Sequence, residues 1–445
     1  MSKRWQVRVW LATLAVLLVI GVFLVRSRLQ RPVARLASGM QLTLLGVTHG
    51  PTNTFFPGGK LDEMIHRLFS AKGIQLGPLK IKPAAPLSDD WRKQDGSTAF
   101  PNKSVVWIGH RGPTNLALLP VPEKDWFKEI RATMADEMGE EWEMRPIGLG
   151  QARSTNARGL SGITAWSFSA FPRRGKTLHF RLYARNTSEA WDTLADFPLA
   201  NPTPGPHPVW TPSSLPAVQT NGDLVVSLVE FVSGRKSVHY YPGERPFTKV
   251  VFEVKENGQV TEAWLPDRMQ ATDATGNEPW APMVNYRASS NQVFYEIQVV
   301  NLSPTEVWKL QTRFAKAGDQ TTDGVWTSPK LPVVDGRVEP TNLRTNWHDG
   351  VLTLKTSNDP FPDYLHLKLD PLPTNAVWRL GEFLDDQGRK VTYTSGFLDD
   401  SGFEVHWKIP DGAAWIRVTM RLVETRTVEF IAQPTRHSPR PTHSQ

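Results

Sequence analysis

The chain has 445 residues, about three times a typical ~150-residue domain, so two or three domains are expected. Lys and Arg number 51 against 44 Asp and Glu, a formal charge of +7, but Lys3, Arg4, Arg8, Arg26, Arg28, Arg31 and Arg35 all precede Asp62, the first acidic residue. The remainder is balanced, which removes the electrostatic case for a nucleic-acid partner, and the absence of cysteine excludes disulfides, thiolate catalysis, zinc ribbons and iron–sulfur clusters.

The first expected element is an anchor within residues 1–37. Residues 9–25 (VWLATLAVLLVIGVFLV) carry no charge and would span roughly 25 Å as a helix, at the short end of what crosses a bilayer. Trp10 suits one interface, and Arg8 and Arg26 can snorkel to the headgroups. A cleaved signal peptide has the same basic start and apolar middle; against it, four arginines follow Val25 where a small-residue cleavage site would lie. The expectation is a single-pass transmembrane helix that makes the membrane a partner, with a cytoplasmic N-terminus and an extracytoplasmic body.

Residues 38–197 are expected to form a β-sandwich interrupted by an insertion. SVVWIG (104–109) has the β-branched and aromatic content of a strand. Within the insertion, Leu61, Met64, Ile65, Leu68 and Phe69 recur at helical spacing with Gly73 just beyond, predicting an amphipathic helix over 60–71. The stretch from there to Pro101 reads as a long loop. His49 and His110 each follow a strand of this module, and with Asp89 and Asp90 from the loop they form a candidate polar cluster; strand-end histidines are more often hydrogen-bonded bystanders.

Residues 198–216 (PLANPTPGPHPVWTPSSLP) hold seven prolines, as in an extended, semi-rigid linker. Two further modules, 217–335 and 336–433, follow, and 434–445 is expected to be a disordered tail. A repeat ties the modules together. Asp136-Glu-Met-Gly139, Asp273-Ala-Thr-Gly276 and Asp385-Asp-Gln-Gly388 share D-x-x-G at domain-sized spacings, and Trp126, Trp264 and Trp378 lie 7 to 10 residues upstream. Each pattern reads as a turn, with the Asp accepting backbone hydrogen bonds and the Gly taking positive φ; three equivalent copies favour structure over metal binding or catalysis.

Downstream of each turn, residues 166–183, 293–314 and 403–423 read as an alternating strand, a proline-containing turn and a second strand. Leu302-Ser-Pro304-Thr-Glu-Val-Trp308 resembles the leucine–proline–aromatic corner of fibronectin type III and related immunoglobulin-like sandwiches. Ile409-Pro410-Asp-Gly412-Ala-Ala-Trp415 is similar, whereas the first copy has Leu178 in the aromatic position. Tryptophan also replaces the family's tyrosine, so the usual hydroxyl bond of the corner cannot form. The resemblance implies tandem immunoglobulin-like β-sandwiches on a bacterial single-pass membrane protein; it implies a fold, not a function.

Hydrolase, zincin, dinucleotide, EF-hand and phosphate-loop motifs are all missing, and Gly58-Gly59-Lys60 lacks the flanking residues of a phosphate loop. No catalytic residue, cofactor or metal ligand is assigned. Among the 17 tryptophans, Trp308, Trp378 and Trp415 are expected in cores, while Trp91, Trp142, Trp210, Trp280 and Trp347 are the better candidates for exposure. The reading is a mainly β, non-catalytic binding or spacing element of the cell envelope with a protein or envelope-glycan partner. The alternative is a glycan-binding or glycan-processing protein with a site in the first module.

Overall fold

The computed structural model describes residues 32–35, 41–50, 54–55, 74–76, 79–81, 87–88, 104–111, 130–144, 152–156, 159–168, 170–185, 191–238, 241–279, 285–289, 292–297, 302–316, 324–357, 364–399 and 402–437. The expected anchor over 9–25 and the insertion helix over 60–71 lie outside these residues. Among the described residues the structure is β throughout, and no helix is long and apolar enough to cross a membrane. Two compact units separate at Pro206/His207, inside the proline-rich stretch.

The first unit is a two-sheet sandwich. One sheet runs in the order Val33–Arg35, Gln41–His49, Ser104–Arg111, Gly159–Phe168, Ala152–Asn156; the other runs Trp191–Ala200, Thr177–Arg185, Ile130–Ala135, Glu141–Met144. All pairs are antiparallel. Period-two alternation sends Leu42, Leu44, Val106 and Ile108 from one sheet, and Met134, Leu178, Phe180 and Phe197 from the other, into a single core capped by Trp166 and Phe171. This strand order is that of an immunoglobulin-like sandwich. The insertion falls between Gln41–His49 and Ser104–Arg111; its described parts pair Thr54–Phe55 with Leu87–Ser88 and Ile74–Leu76 with Leu79–Ile81. A short hairpin thus stands in the stretch expected to be loop.

The second unit repeats the plan twice. The sheets Ala217–Asn221, Leu224–Val238, Tyr241–Glu256, Gln292–Ile297, Asn285–Ser289 and Asn342–Trp347, Gly350–Ser357, Tyr364–Asp370, Gly402–Lys408, Thr392–Asp399 follow the strand succession of the first sandwich. Opposite them stand Trp264–Asp273 with Trp308–Lys316, and Ala376–Asp385 with the strand beginning at Trp415.

The closing strands depart from a simple tandem. In the first sandwich the closing strand, Trp191–Ala200, directly follows its partner Thr177–Arg185. In the second, Trp308–Lys316 pairs instead with residues 425–432, the C-terminal part of the 18-residue strand Trp415–Ala432. Residues 416–424 of that same strand belong to the third sandwich. There the closing position is filled by Val325–Thr327 and Leu331–Val334, which come before the rest of the third sandwich in sequence. The third sandwich is therefore a circular permutant, contiguous over 325–424, inserted between the last two strands of the second.

The exchange is packed on both sides. Phe430 is buried against Phe252, 5.7 Å between centroids, and Phe252 meets Phe314 edge-on in the second core. Leu331 is buried in the third core with Leu354, Leu367 and Trp378, and Trp326 packs on its margin. Asp267, nearly buried, accepts from Arg313 of the second sandwich at 2.7 Å and from Arg379 of the third. Arg426 bonds Asp223 and the Asn221 carbonyl and lies over the Trp264 ring, whose other neighbour is Lys316.

The C-terminal segment corrects the expected tail. Thr435–Arg436 pair in parallel with Val232–Ser233, His437 N–H donates to the Ser233 carbonyl, and its ring meets Phe247 edge-on at 5.0 Å. Gly234 permits this approach, because a Cβ there would stand 2.8 Å from that of His437. Composition suggested disorder, but two backbone pairs and one ring contact suffice to hold the segment through His437.

Candidate functional site

The three D-x-x-G segments make one and the same turn. Asp136, Asp273 and Asp385 each accept, through Oδ1, the backbone N–H groups two and four residues on, at 2.7–2.9 Å. The backbone N–H of each Asp donates to the carbonyl of residue i+4, and each Gly N–H donates back to the Asp carbonyl. Gly139, Gly276 and Gly388 sit at φ of 82°, 86° and 74°. The Asp273 carboxylate also takes the Thr275 hydroxyl and the Asn277 amide, and Asp385 takes the Arg389 guanidinium. Each carboxylate is committed through Oδ1 to two backbone donors, and those of Asp273 and Asp385 also accept from side chains through Oδ2.

The corner at Trp308 works without a hydroxyl. The indole is fully buried and its Nε1–H donates to the Ser303 carbonyl, five residues upstream, at 3.0 Å. A tyrosine corner makes the same backward bond through its OH. Trp415 differs from its expected place in a core: its ring is only half-buried, with Lys330 Nζ 4.6 Å and the Arg417 guanidinium 5.2 Å from the centroid. Its side chain falls on the outward phase of the strand, one residue before buried Ile416. Trp142, expected to be exposed, is buried; Trp210 and Trp347 are half-buried, under Lys309 and on Trp378 respectively.

The candidate polar cluster does not assemble. Strands Gln41–His49 and Ser104–Arg111 are antiparallel, with His49 opposite Ser104 and His110 opposite Leu42. His49 ends its strand and His110 is the penultimate residue of the other, so the two lie near opposite ends of the ladder, roughly 20 Å apart at ~3.3 Å per residue. Asp89 and Asp90 lie outside the described residues. What His49 does meet is Ser104 Oγ, at 2.7 Å, and the edge of Phe171, over whose face the Arg173 guanidinium sits at 4.6 Å. Burial and then the Arg173 charge push the His49 imidazole below its ordinary value. The neutral ring and buried Ser104 cannot act as a nucleophilic pair, since no substrate reaches a hydroxyl with zero exposure.

The densest charged constellation among the described residues is on the outer face of the four-stranded sheet of the first unit. Glu141 accepts from Arg131 Nη2 at 3.0 Å, from Arg181 Nη1 at 2.8 Å and from the Tyr183 hydroxyl. Asp196 accepts from Arg181 Nε at 3.0 Å and contacts His179 Nδ1 at 2.8 Å. Register creates this group: His179, Arg181 and Tyr183 alternate outward on one strand, opposite Asp196 on one side and Arg131 on the other. Burial pushes the Glu141 carboxyl up, but the Tyr183 and Arg181 hydrogen bonds and the Arg131 and Arg181 charges outweigh it and hold the group below the usual carboxylate range. Burial, then the Glu141 contact, pushes the Tyr183 phenol up, and the Glu141 bond does the same to Arg181. The face carries fixed charges and can recognise by ion pairing, but Glu141 and Tyr183 are moved away from the neutral titration that proton transfer needs. The alternating H-x-R-x-Y run was visible in sequence; its partners across the sheet were not.

No protein-family model matches the chain, and no curated protein matches it. Among solved structures, a three-immunoglobulin-domain fragment of titin with a glutamate-to-alanine change aligns at 9% identity over 76% of this chain and 93% of that one, with a TM-score of 0.11. A titin I-band fragment aligns over the same shares at 9% identity and 0.12. At these scores the sandwich assignment rests on strand order and core alone.

Proposed function

We propose that the chain is a non-catalytic spacing and binding element of the cell envelope, held to the membrane by residues 9–25 with its sandwiches outside the cytoplasm. The observation that carries this reading is the insertion of the third sandwich into the second. A shared 18-residue strand and the Asp267 bridge replace a flexible joint with a braced body, which suits a spacer or a display platform better than a machine that must open and close. The carboxylates of the three turns and of Glu141, engaged by donors of the fold itself, are consistent with the same reading. The test is topological and biochemical together. The protein should resist carbonate extraction and yield only to detergent, and protease on intact spheroplasts should digest the body from about residue 40 onwards. Residues 38–445 used as bait on solubilised membranes should recover an envelope protein or glycan. Full protection of the body until lysis overturns the envelope reading.

A further inference from the structure

The insertion couples the folding of two sandwiches unequally. All strands of the third sandwich lie within 325–424, whereas the second is split between 217–316 and 425–437. Its closing strand, bearing buried Val428, Phe430 and Ala432, returns to Trp308–Lys316 only after the intervening chain. With the third sandwich folded, residues 325 and 421 are themselves paired, and about eight residues, 317–324, separate the end of Trp308–Lys316 from that ladder. With it unfolded, the pairing of Ala315 with Thr425 must close a loop of about 108 residues, 317–424.

We propose that the third sandwich is a brace: its folded state holds the second sandwich closed, so that anything stabilising or damaging residues 325–424 is felt in the second sandwich, while the reverse influence is much weaker. Loop-closure entropy scales with length to the 3/2 power, so the change from about 8 to about 108 residues corresponds to roughly 50-fold in the opening equilibrium of the second sandwich. In the opposite direction no strand of the third sandwich is supplied from outside 325–424. Opening of the second costs the third the Arg379–Asp267 contact, the Thr425 N–H bond to the Asn375 carbonyl at 2.7 Å and the fraying of its strand end at Glu424.

The device gives the body a defined order of assembly. During synthesis the second sandwich cannot seat its closing strand until the third has been made. It also gives a ligand of the third sandwich leverage over the second without contact between them, because stabilising one folded segment shifts the opening equilibrium of the other.

The test is hydrogen exchange by mass spectrometry on the full chain in detergent. Leu354→Ala, deep in the third core, is expected to lower protection of peptides over 308–316 and 425–432 by up to about 50-fold in urea that opens the third sandwich. Phe252→Ala, deep in the second core, is expected to leave protection over 342–357 within twofold. Unchanged protection in the second sandwich on Leu354→Ala, or equal losses in both directions, overturns the proposal. A cysteine pair separates bracing from general collapse. Gln311 and Glu429 are register partners with exposed side chains, and the chain has no other thiol. Oxidised Gln311→Cys/Glu429→Cys should restore protection of 308–316 in the Leu354→Ala background, because the loop is already closed; the reduced pair should not. Loss that persists after oxidation refutes loop closure as the link.

Discussion

Replacing Trp308 by alanine isolates the corner of the second sandwich. A buried tryptophan removes about 150–250 Å² from water, roughly 4–6 kcal/mol at ~25 cal/mol per Å², of which alanine keeps a part. Measured truncations of large core side chains cost about 3–5 kcal/mol. The lost Nε1–H bond also leaves the Ser303 carbonyl, now inside a cavity, without that donor. The terms overlap, and about 4 kcal/mol is expected for Trp308→Ala, or close to a thousandfold in amide protection over 302–316. Trp308→Phe keeps most of the ring and loses the bond, so about 1–2 kcal/mol, roughly tenfold, should follow. Trp415→Ala is the contrast. Its half-buried ring holds two cations worth about 0.5–1 kcal/mol each on top of a smaller burial term, and the loss should stay clearly below that at Trp308, at about 2 kcal/mol. Equal effects at Trp308 and Trp415, or less than tenfold at Trp308→Ala, would refute the claim that one indole is a corner and the other a surface shelf.

Acid should weaken the second unit. The Arg426 hydrogen bond holds Asp223 below its ordinary value, and bonds from Trp264 and then Lys316 hold Glu256 below its own. Folded values below unfolded ones mean that this stabilisation is complete above about pH 5 and fades as pH falls through the unfolded and then the lower folded values. Asp223→Asn should therefore flatten the acid limb of stability measured by circular dichroism, and an unaltered profile would remove the pair from the account. Gly234→Ala should displace Thr435–His437, seen as faster carboxypeptidase trimming to about residue 434 with the cores unchanged; wild-type trimming rates would show that the segment is not held there. Among the turns, Asp273→Ala removes four hydrogen bonds at a buried site and should cost about 3 kcal/mol, against about 1 kcal/mol for half-buried Asp136→Ala with two, so calorimetry should show the larger fall in melting temperature for Asp273.

Local features were the legible ones. Asp–Gly spacing marks a turn because the side chain and the left-handed glycine act within five residues, and alternation marks strands because burial on one sheet face repeats every second residue. The polar cluster failed for a non-local reason. His49 and His110 each lie at the C-terminal end region of a strand, but adjacent strands here are antiparallel, so like positions in sequence become opposite ends in space. The Glu141 network was hidden by the same gap, since Arg131, Arg181 and Asp196 meet only once three strands are in register.

The exchanged closing strands show where sequence does carry a non-local hint. Val325–Val334 reads equally well as the end of the second module or the start of the third, because a strand's own residues do not name its partner. Length does. Residues 415–432 form one continuous strand of 18 positions, alternating at both ends, about 60 Å at ~3.3 Å per residue, where strands in globular proteins average 5–6 residues. No turn residue interrupts Leu422 to Phe430, so the chain cannot reverse there to close the third sandwich on itself. A strand that cannot turn back must go on, and the surface awaiting it is the open edge of Trp308–Lys316. A strand-like run three times the usual length with no turn residue in it, placed after a corner motif that calls for one more strand, is thus itself a signal that a second sheet lies along the same line.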